Sequence, residues 1–376
     1  MNNIALYFHI PFCVKKCDYC AFYSLANVGE DIKDAYFEAL LRQLSFFITE
    51  KTVSSVYFGG GTPPMLGIDR LCKLLSAVKS RFILANDCEI TVEVNPKTVD
   101  LVGMLKLREV GFNRLSVGVQ SADDEILASI GRIHSFSDAV ECIANAHKAG
   151  FDNISADIIF ALPSLTPDRL LESIEMIMST NVSHISAYSL QLEEGTPLYK
   201  RRKTLSFPTE EDEEAQYNLL CESLKANGFE HYEISSFCKG GKRSRHNLSY
   251  WSRTEYFGFG ASAHSFYNNR RFSNIADVNE YIRLTNDGLF APTDYYNSPE
   301  ITPQEALEEA IMLGLRTSDG AEIPEGAKKT AARIASLGYG SFDGSRLSLN
   351  SSGFRVSNRV IGEIIASLSP KNASHF

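Results

Sequence analysis

The 376-residue sequence has little basic charge and no long apolar segment. Its 37 lysines and arginines are outnumbered by 46 aspartates and glutamates, which gives a net charge of −9. Proteins that bind nucleic acid usually present a basic face, so this balance argues against a nucleic-acid partner. No stretch approaches the ~20 consecutive apolar residues that a membrane-spanning helix requires. We therefore expect no transmembrane segment, while transient association with a membrane surface stays open.

A secretory signal is missing as well. The apolar run at residues 4–10 is short, contains His9, and leads into a group of cysteines instead of a small-residue cleavage site. We therefore expect a cytoplasmic protein, either a monomer or a homodimer. Its eight cysteines do not form a disulfide framework in that compartment. Three of them fall within residues 13–20, and the simplest interpretation of the other five is that of small buried hydrophobic residues.

What the chain does contain is a regular alternation of strand-like and helix-like segments. The strand-like segments are apolar and lie at residues 4–10, 54–58, 89–94, 114–119, 154–160 and 184–190. Such alternation predicts parallel strands joined by helices. Polar motifs accompany each of these strands, and a barrel gathers all of its strand ends around one site, whereas an open sheet uses mainly those at its switch point. We therefore predict an α/β fold built on a partial (β/α)6 barrel similar to a TIM barrel.

The pattern changes beyond about residue 200. We predict a core barrel at residues 1–230, a connecting region at 231–300 and a C-terminal domain at 301–376. In the last of these, two helical patterns precede a hairpin with Asp343-Gly344 as its turn, and a final helix follows. This order is typical of a winged helix, although the acidic chain favours a docking module over a DNA-binding one. The prediction is an α+β extension that ends in a winged-helix-like module.

The cysteine group is the most specific motif in the sequence. Cys13, Cys17 and Cys20 form a C-x3-C-x2-C pattern. Three ligands are one short of a closed zinc site, and there is no second cysteine pair of the kind that zinc sites combine. Three thiolates on a four-iron cube leave one iron without a protein ligand, as a cluster that binds a small molecule requires. We therefore predict a [4Fe–4S] cluster. The alternatives are zinc with His9 as fourth ligand, or thiols that bind no metal.

Other polar residues at strand ends are candidates for binding a small molecule. Glycines after a strand let the backbone approach a ligand closely. A carboxylate among apolar neighbours can accept a hydrogen bond from an ammonium group, an arginine suits a carboxylate, and Gln or Asp suits ribose hydroxyls. Each residue also has a structural interpretation, as a turn or a rim ion pair. The candidates are Gly60, Gly61, Thr62, Glu93, Gln120, Arg132 and Asp157.

Together these motifs resemble the radical SAM superfamily, whose signature is this cysteine spacing with an aromatic residue, here Tyr19, before the third cysteine. Segments 7–13, 118–121, 131–134 and 157–163 resemble, in this order, the subfamily of oxygen-independent coproporphyrinogen III dehydrogenase (HemN) and its paralogue, the heme chaperone HemW. The resemblance covers essentially the whole chain. It implies that S-adenosylmethionine (SAM) binds the open iron and that Tyr19 lies beside the cluster. The residues that it places around SAM are Tyr7, Gly60, Gly61, Thr62, Glu93, Gln120, Arg132 and Asp157.

Three features distinguish the two branches of that subfamily. The dehydrogenase pattern has a fourth cysteine where this chain has Phe22, and it has a long N-terminal arm where this chain has only 12 residues before Cys13. His246-Asn247-Leu248-Ser249-Tyr250-Trp251 matches the HNxxYW element of the HemW-like branch. The resemblance therefore implies a heme-binding protein that delivers heme to client hemoproteins. The alternative is an enzyme that decarboxylates coproporphyrinogen III through a 5′-deoxyadenosyl radical.

The HNxxYW element contains the candidate heme site. A histidine such as His246 can ligate heme iron, and aromatic neighbours can cover a porphyrin face. The remaining candidates in this element are Asn247, Tyr250 and Trp251. Lys242, Arg243 and Arg245 just upstream can pair with heme propionates. The alternative for His246 is a hydrogen-bonded structural role, and His264 is a second candidate ligand.

Overall fold

The centre of the fold is a row of six parallel strands, each hydrogen bonded to the next one in the chain. The computed structural model describes residues 3–289 and 298–368. The strands are β1 (Asn3–Ile10), β2 (Thr52–Gly60), β3 (Leu84–Val94), β4 (Arg114–Gln120), β5 (Ile154–Phe160) and β6 (His184–Ser189). Most of their residues are buried, as parallel strands covered on both faces require. The predicted α/β architecture is confirmed.

Helices connect these strands and pack against the sheet. They are α1 (Glu30–Phe46), α2 (Ile68–Arg81), α3 (Leu101–Val110), α4 (Asp124–Ser129), α5 (Phe136–Lys148), α6 (Pro167–Ser179), α7 (Pro197–Lys200) and α8 (Glu210–Ala226). Their buried residues recur at spacings of three and four, as Ala139, Cys142, Ile143 and Ala146 do in α5. In the described parts of the chain, no helix is long and apolar enough to cross a bilayer.

Residues of the predicted connecting region extend the same sheet at both edges. Beyond β6 the sheet continues with two antiparallel strands, and beyond β1 with one parallel and two antiparallel strands. These strands are β7 (Glu230–Glu233), β8 (Ser236–Cys238), β9 (Tyr256–Phe259), β10 (His264–Tyr267) and β11 (Arg270–Ser273). One hydrophobic core runs from Ile4 to Tyr281. The connecting region and the barrel therefore share a core.

Helix α9 (Arg245–Trp251) closes the barrel near the amino-terminal ends of its strands. The His246 ring lies 2.9 Å from Ser55 Oγ in β2, and the His246 backbone N–H donates to Glu89 in β3 at 3.0 Å. Ser55 precedes Gly60 by five residues, which in an extended strand span roughly 16 Å. Gly60 pairs with Ile10, just before the cysteines. The HNxxYW element and the cysteines therefore lie at opposite ends of the barrel.

The C-terminal part has a separate core. After α10 (Val278–Asn286), which packs on α1, come four helices and a three-stranded antiparallel sheet in the order β12-β14-β13. The elements are α11 (Pro303–Gly314), β12 (Ala321–Glu322), α12 (Lys328–Ser336), β13 (Gly340–Phe342), β14 (Arg346–Leu349), α13 (Ser351–Arg355) and α14 (Ser357–Ala366). Their apolar residues form a cluster that includes Ile311, Leu347 and Ile364. The winged-helix-like description stays a prediction.

The second core gives a test of how this part is stabilised. Leu347→Ala removes a fully buried side chain from β14 and leaves a cavity, so we expect a loss of about 2–5 kcal/mol in the unfolding free energy of the C-terminal part. Urea unfolding monitored by circular dichroism measures it. Leu337→Ala is the matched control, because Leu337 is 58% exposed and should cost far less. Equal losses in the two variants would contradict the assignment of the core.

Candidate functional site

A cavity of about 580 Å³ opens at the carboxyl ends of the barrel strands. This volume is typical of small-molecule sites. It brings together most of the residues that the sequence predicted for the cluster and for SAM, and Asn247 reaches it from α9. The predicted residues that line it are Cys13, Cys17, Tyr19, Cys20, Gly60, Gly61, Thr62, Glu93, Gln120, Arg132, Asp157 and Asn247. Tyr7, His246, Tyr250 and Trp251 are not among the lining residues.

Backbone contacts hold the cysteine loop at the mouth of this cavity. The Cys20 N–H donates to the Cys17 carbonyl at 3.2 Å, and the Asp18 N–H donates to the Ile130 carbonyl at 3.0 Å. The Asp18 carboxylate pairs with Arg201 at 2.7 Å. All three thiols are unpaired with one another and partly exposed. The loop is therefore fixed by its backbone, and its thiols stay available as ligands.

The donors around the thiols suit an iron–sulfur cluster. Thr62 Oγ1 lies 3.7 Å from Cys13 Sγ, and Arg132 Nη1 lies 3.3 Å from Cys17 Sγ. Hydrogen bonds to ligand sulfurs stabilise thiolates and tune such clusters. In residues 3–289 and 298–368, no three His, Cys, Asp or Glu side chains are grouped closely enough to hold a single metal ion. Ligands of a four-iron cube bind different irons and need not converge on one point, so this spacing of the thiols is compatible with the predicted cluster.

The structure does not favour His9 as the fourth ligand of a zinc site. His9 Nδ1 lies 3.0 Å from the Tyr7 hydroxyl, and His9 Nε2 lies 3.2 Å from the Tyr23 carbonyl. Both ring nitrogens are therefore engaged within the protein. His9 serves to pack the loop against the barrel instead of completing a metal site.

A hydrogen-bonded chain connects two of the cysteines through Asn95. Arg132 Nη2 donates to Asn95 Oδ1 at 2.6 Å, and Asn95 Nδ2 donates to Thr62 Oγ1 at 2.8 Å. Since Arg132 contacts Cys17 and Thr62 contacts Cys13, the chain runs from one thiol to the other. Arg132 Nε is buried without a protein partner. The guanidinium thus keeps a free donor beside the cavity, as its predicted role toward a carboxylate requires.

The glycine segment is required by packing as well as by any ligand. Gly60 has φ of +110°, and a Cβ atom there would lie 2.5 Å from the His9 ring. A Cβ at Gly61 would lie 2.8 Å from the Phe12 carbonyl oxygen. Side chains at these positions would push β2 away from β1. The glycines therefore place the backbone of this segment directly beside the cysteine loop.

Glu93 is held by partners from the neighbouring strand. Its carboxylate accepts from the Tyr57 hydroxyl at 2.7 Å and from the Gly60 N–H at 3.1 Å. Burial raises the pKa of Glu93 to about 7, although the Tyr57 hydrogen bond acts in the opposite direction. The Glu93 carboxylate thus places two acceptor oxygens at the cavity wall, as the predicted binding of an ammonium group requires.

The remaining predicted wall residues come from β4 and β5. Gln120 has φ of +68° at a bulge in β4, which ends the strand and aims the side chain at the cavity. Asp157 accepts the single Ser116 hydroxyl hydrogen between its two carboxylate oxygens, which lie 2.9 and 3.1 Å from Ser116 Oγ, and burial raises the pKa of Asp157. Both residues line the cavity. They fit the predicted contacts with hydroxyl groups.

The HNxxYW element has a different environment from the one expected of a heme ligand. His246 is 1% exposed, with Nδ1 2.9 Å from Ser55 Oγ and Nε2 2.8 Å from the Tyr250 hydroxyl. Burial, with a smaller effect of Arg114, lowers the pKa of His246 to about 3, so the ring is neutral. It stacks on Tyr57 with ring centroids 4.9 Å apart. This environment matches the hydrogen-bonded structural alternative.

The basic residues upstream of this element are already paired. Lys242 lies 3.1 Å from Asp152, Arg243 pairs with Glu230 and Asp319, and Arg245 lies 2.5 Å from Asp87. Each cation is therefore neutralised by a carboxylate of the protein. Heme propionates would have to displace these partners.

Comparisons with known proteins identify the family. A family model described as the radical SAM superfamily matches residues 7–177. The heme chaperone HemW of Bacillus subtilis (strain 168) is 36% identical over 337 residues, which are 88% of this chain and 88% of that protein. The heme chaperone HemW of Escherichia coli (strain K12) is 35% identical over 267 residues, 69% of each chain. This chain belongs to the HemW family of radical SAM proteins.

The HemW-family chain also shares its fold with a solved structure. The coproporphyrinogen III oxidase HemN from Escherichia coli, described as a radical SAM enzyme, superimposes with a TM-score of 0.83 at 20% identity. The superposition covers 97% of this chain and 90% of HemN. It therefore includes the C-terminal part as well as the barrel. Membership of the radical SAM superfamily implies a [4Fe–4S] cluster and SAM.

Several residues of the HemW-family site were missed by the sequence analysis. Tyr57 and Ser116 hold Glu93 and Asp157 from adjacent strands, and Asn95 bridges Arg132 and Thr62. The positions of Tyr57 in β2 and Ser116 in β4 could have been recognised from the sequence, because inward-facing residues of a barrel strand recur at every second position. Arg114 lines the inner end of the cavity and is 2% exposed. Burial acts to lower the pKa of Arg114, but the surrounding acidic groups, Glu89 foremost, raise it above its usual value.

The raised pKa of Glu93 predicts a pH-dependent stability difference. The folded protein binds this proton more tightly than the unfolded chain, so the contribution of Glu93 is favourable at low pH and is lost as pH rises through about 7. Glu93→Gln stays neutral, and it should therefore gain stability relative to wild type between about pH 5 and about pH 8. Thermal unfolding of the metal-free protein measures this. The exposed Glu38→Gln should show no such trend, and a flat difference for Glu93→Gln would contradict the assignment.

Proposed function

We propose that this HemW-family protein binds heme and transfers it to client hemoproteins. The observation that carries the proposal is the 36% identity, over 88% of both chains, to a protein named heme chaperone HemW. The exposed Phe22 agrees with it, because the dehydrogenase pattern has a fourth cysteine at that position. In this proposal the protein acts as a monomer or a homodimer.

For the cluster, we propose Cys13, Cys17 and Cys20 as ligands. When bound, the cluster and SAM supply redox chemistry that the side chains themselves lack. Thr62 Oγ1 and Arg132 Nη1 donate to the sulfurs of Cys13 and Cys17 and would orient these ligands around the cluster. His9, the alternative fourth ligand, is engaged at both ring nitrogens by Tyr7 and Tyr23.

For SAM, we propose that the cavity walls recognise its polar groups. Glu93 accepts from the ammonium group, and Arg132 donates to the carboxylate through its free Nε. Gln120 and Asp157 bind the ribose hydroxyls. Tyr7 supports this site from below, since its ring stacks 6.2 Å from Tyr57, which holds Glu93.

We also propose that residues 301–376 act as a winged-helix-like docking module, next to a barrel at 1–230 and a connecting region at 231–300. Support comes from the separate core around Ile311 and Leu347. The module joins the connecting region through backbone hydrogen bonds from Ile234 to Arg316 and from Ser318 to Tyr232. Residues 290–297 and 369–376 of these predicted segments lie outside the described residues.

The ligand assignment is tested by removing one thiol. Cys17→Ala leaves two cysteines for the cluster and removes the acceptor of Arg132, so we expect loss of the visible Fe–S absorbance and of SAM binding. Iron content and equilibrium dialysis with SAM after anaerobic reconstitution measure both. Cys72→Ala on α2 is the matched control and should retain a full cluster, because Cys72 does not line the cavity. A Cys17→Ala protein with four irons would refute the assignment.

Heme handling and porphyrinogen oxidation are separated by two measurements on one preparation. We expect the reconstituted protein to bind heme with a saturable change in the Soret band, and to transfer it to an apo-hemoprotein. We expect no protoporphyrinogen when the reduced protein is incubated with SAM and coproporphyrinogen III. Decarboxylation at a catalytic rate would establish the enzyme alternative, and a protein that fails to bind heme would refute the chaperone proposal.

A further inference from the structure

The rim of the cavity carries an unusual concentration of exposed apolar side chains. Val14 is 41% exposed, Phe22 is 72% exposed and Ile133 is 50% exposed, and all three line the same cavity as the cysteines. Isolated exposed apolar residues are common on protein surfaces, whereas several around one opening mark a binding surface. We call Val14, Phe22 and Ile133 the apolar rim.

Two cations stand directly beside the apolar rim. Lys15 and Lys16 follow Val14 in the cysteine loop, are exposed, and also line the cavity. Within the described residues, no hydrogen bond or ion pair joins either ammonium group to another side chain. This distinguishes them from Lys242, whose ammonium is paired with Asp152. The rim lysines therefore form the positive patch that is open to an anionic ligand.

A carboxylate limits the orientation of such a ligand. Glu193, which lies after β6, lines the cavity too, on the side of the last barrel strand. An anion is repelled from that side and attracted to the side where β1 ends and the rim lysines lie. The rim thus combines an apolar platform with a positive edge and a negative edge.

From this arrangement we propose that heme docks on the rim of the barrel, and this rests on the proposed heme-binding function. The flat apolar macrocycle covers Val14, Phe22 and Ile133, and its two propionates pair with Lys15 and Lys16. The ligand is an amphipathic planar dianion, and the rim matches it in both hydrophobicity and charge. An apolar peptide lacks the paired carboxylates, and a small anion leaves the apolar platform uncovered.

The opposite end of the barrel does not offer this access. His246 is buried, both its ring nitrogens are bonded to Ser55 and Tyr250, and α9 would have to leave the barrel before a porphyrin could reach it. The breaking of those contacts would leave buried polar groups without partners, which is costly. Heme on the rim requires no such rearrangement.

Docking on the rim has a consequence for SAM. The rim surrounds the mouth of the cavity in which the SAM contacts lie, so heme bound there covers the exit from that cavity. SAM bound first should then leave more slowly once heme is present, and coupling between two ligands is reciprocal. Heme at the HNxxYW end of the barrel would not close this exit.

The experiment compares rim variants with matched surface variants in protein that holds its cluster. The double variant Lys15→Glu/Lys16→Glu replaces two exposed ion pairs with the heme propionates by repulsion between like charges. We expect this change to raise the heme Kd about tenfold. Lys242→Glu makes one of the same charge reversals elsewhere, half the charge change of the double variant, and should bind heme like wild type. Phe22→Ser and Ile133→Ser, which lie outside the cysteine loop, should also weaken heme binding. Ile48→Ser, at a residue 78% exposed and away from the cavity, is their control.

Two further measurements make the outcome decisive. His246→Gln keeps a hydrogen-bonding side chain but cannot ligate iron as imidazole does, and it should bind heme as wild type does. Heme should slow SAM release several-fold in wild type and not in Phe22→Ser. The rim site would be refuted if all rim variants bound heme with wild-type affinity, or if only His246→Gln lost heme binding. Either result would leave the proposed chaperone function intact. No heme binding by the wild-type protein would overturn both.

Discussion

The close approach of β1 and β2 at their carboxyl ends is the constraint on which the site depends. The Gly61 N–H donates to the Ile10 carbonyl at 2.9 Å, and the Thr62 N–H donates to the Phe12 carbonyl at 2.8 Å. Only glycine fits at position 61, because a Cβ would collide with the Phe12 backbone. This contact carries the cysteine loop and Thr62 out of the sheet side by side, and the chain from Thr62 through Asn95 to Arg132 then spans the cavity wall.

The two ends of the barrel differ in their electrostatics. Near α9 the His246 ring is uncharged and stacked on Tyr57, and the buried Arg114 guanidinium supplies a positive charge that acts on it. Toward the mouth, carboxyl groups such as Glu93 are kept at a raised pKa by burial, so they are poised to ionise when a cationic partner arrives. At the inner end His246 is bonded at both ring nitrogens, while toward the mouth Arg132 Nε is left without a protein partner.

The placement of cations gives the surface its selectivity. The chain carries a net charge of −9, which by itself repels an anionic ligand. The basic residues just before the HNxxYW element are neutralised by Asp152, Glu230 and Asp87, whereas Lys15 and Lys16 are left open beside exposed apolar side chains. An acidic protein thus presents a local positive site where its cavity opens.

The sequence by itself determined the six strands, the cysteine motif and most of the cavity residues. These were predictable because strand alternation is a local pattern, and because parallel strands deliver their carboxyl ends to one place whatever their exact register. Tyr57, Asn95 and Arg114 escaped detection, since their importance lies in contacts with residues of other strands. Only the tertiary structure placed the HNxxYW element at the far end of the barrel, with His246 bonded at both nitrogens. A motif of six residues specifies side chains, but long-range packing decides whether those side chains face a cavity or the core.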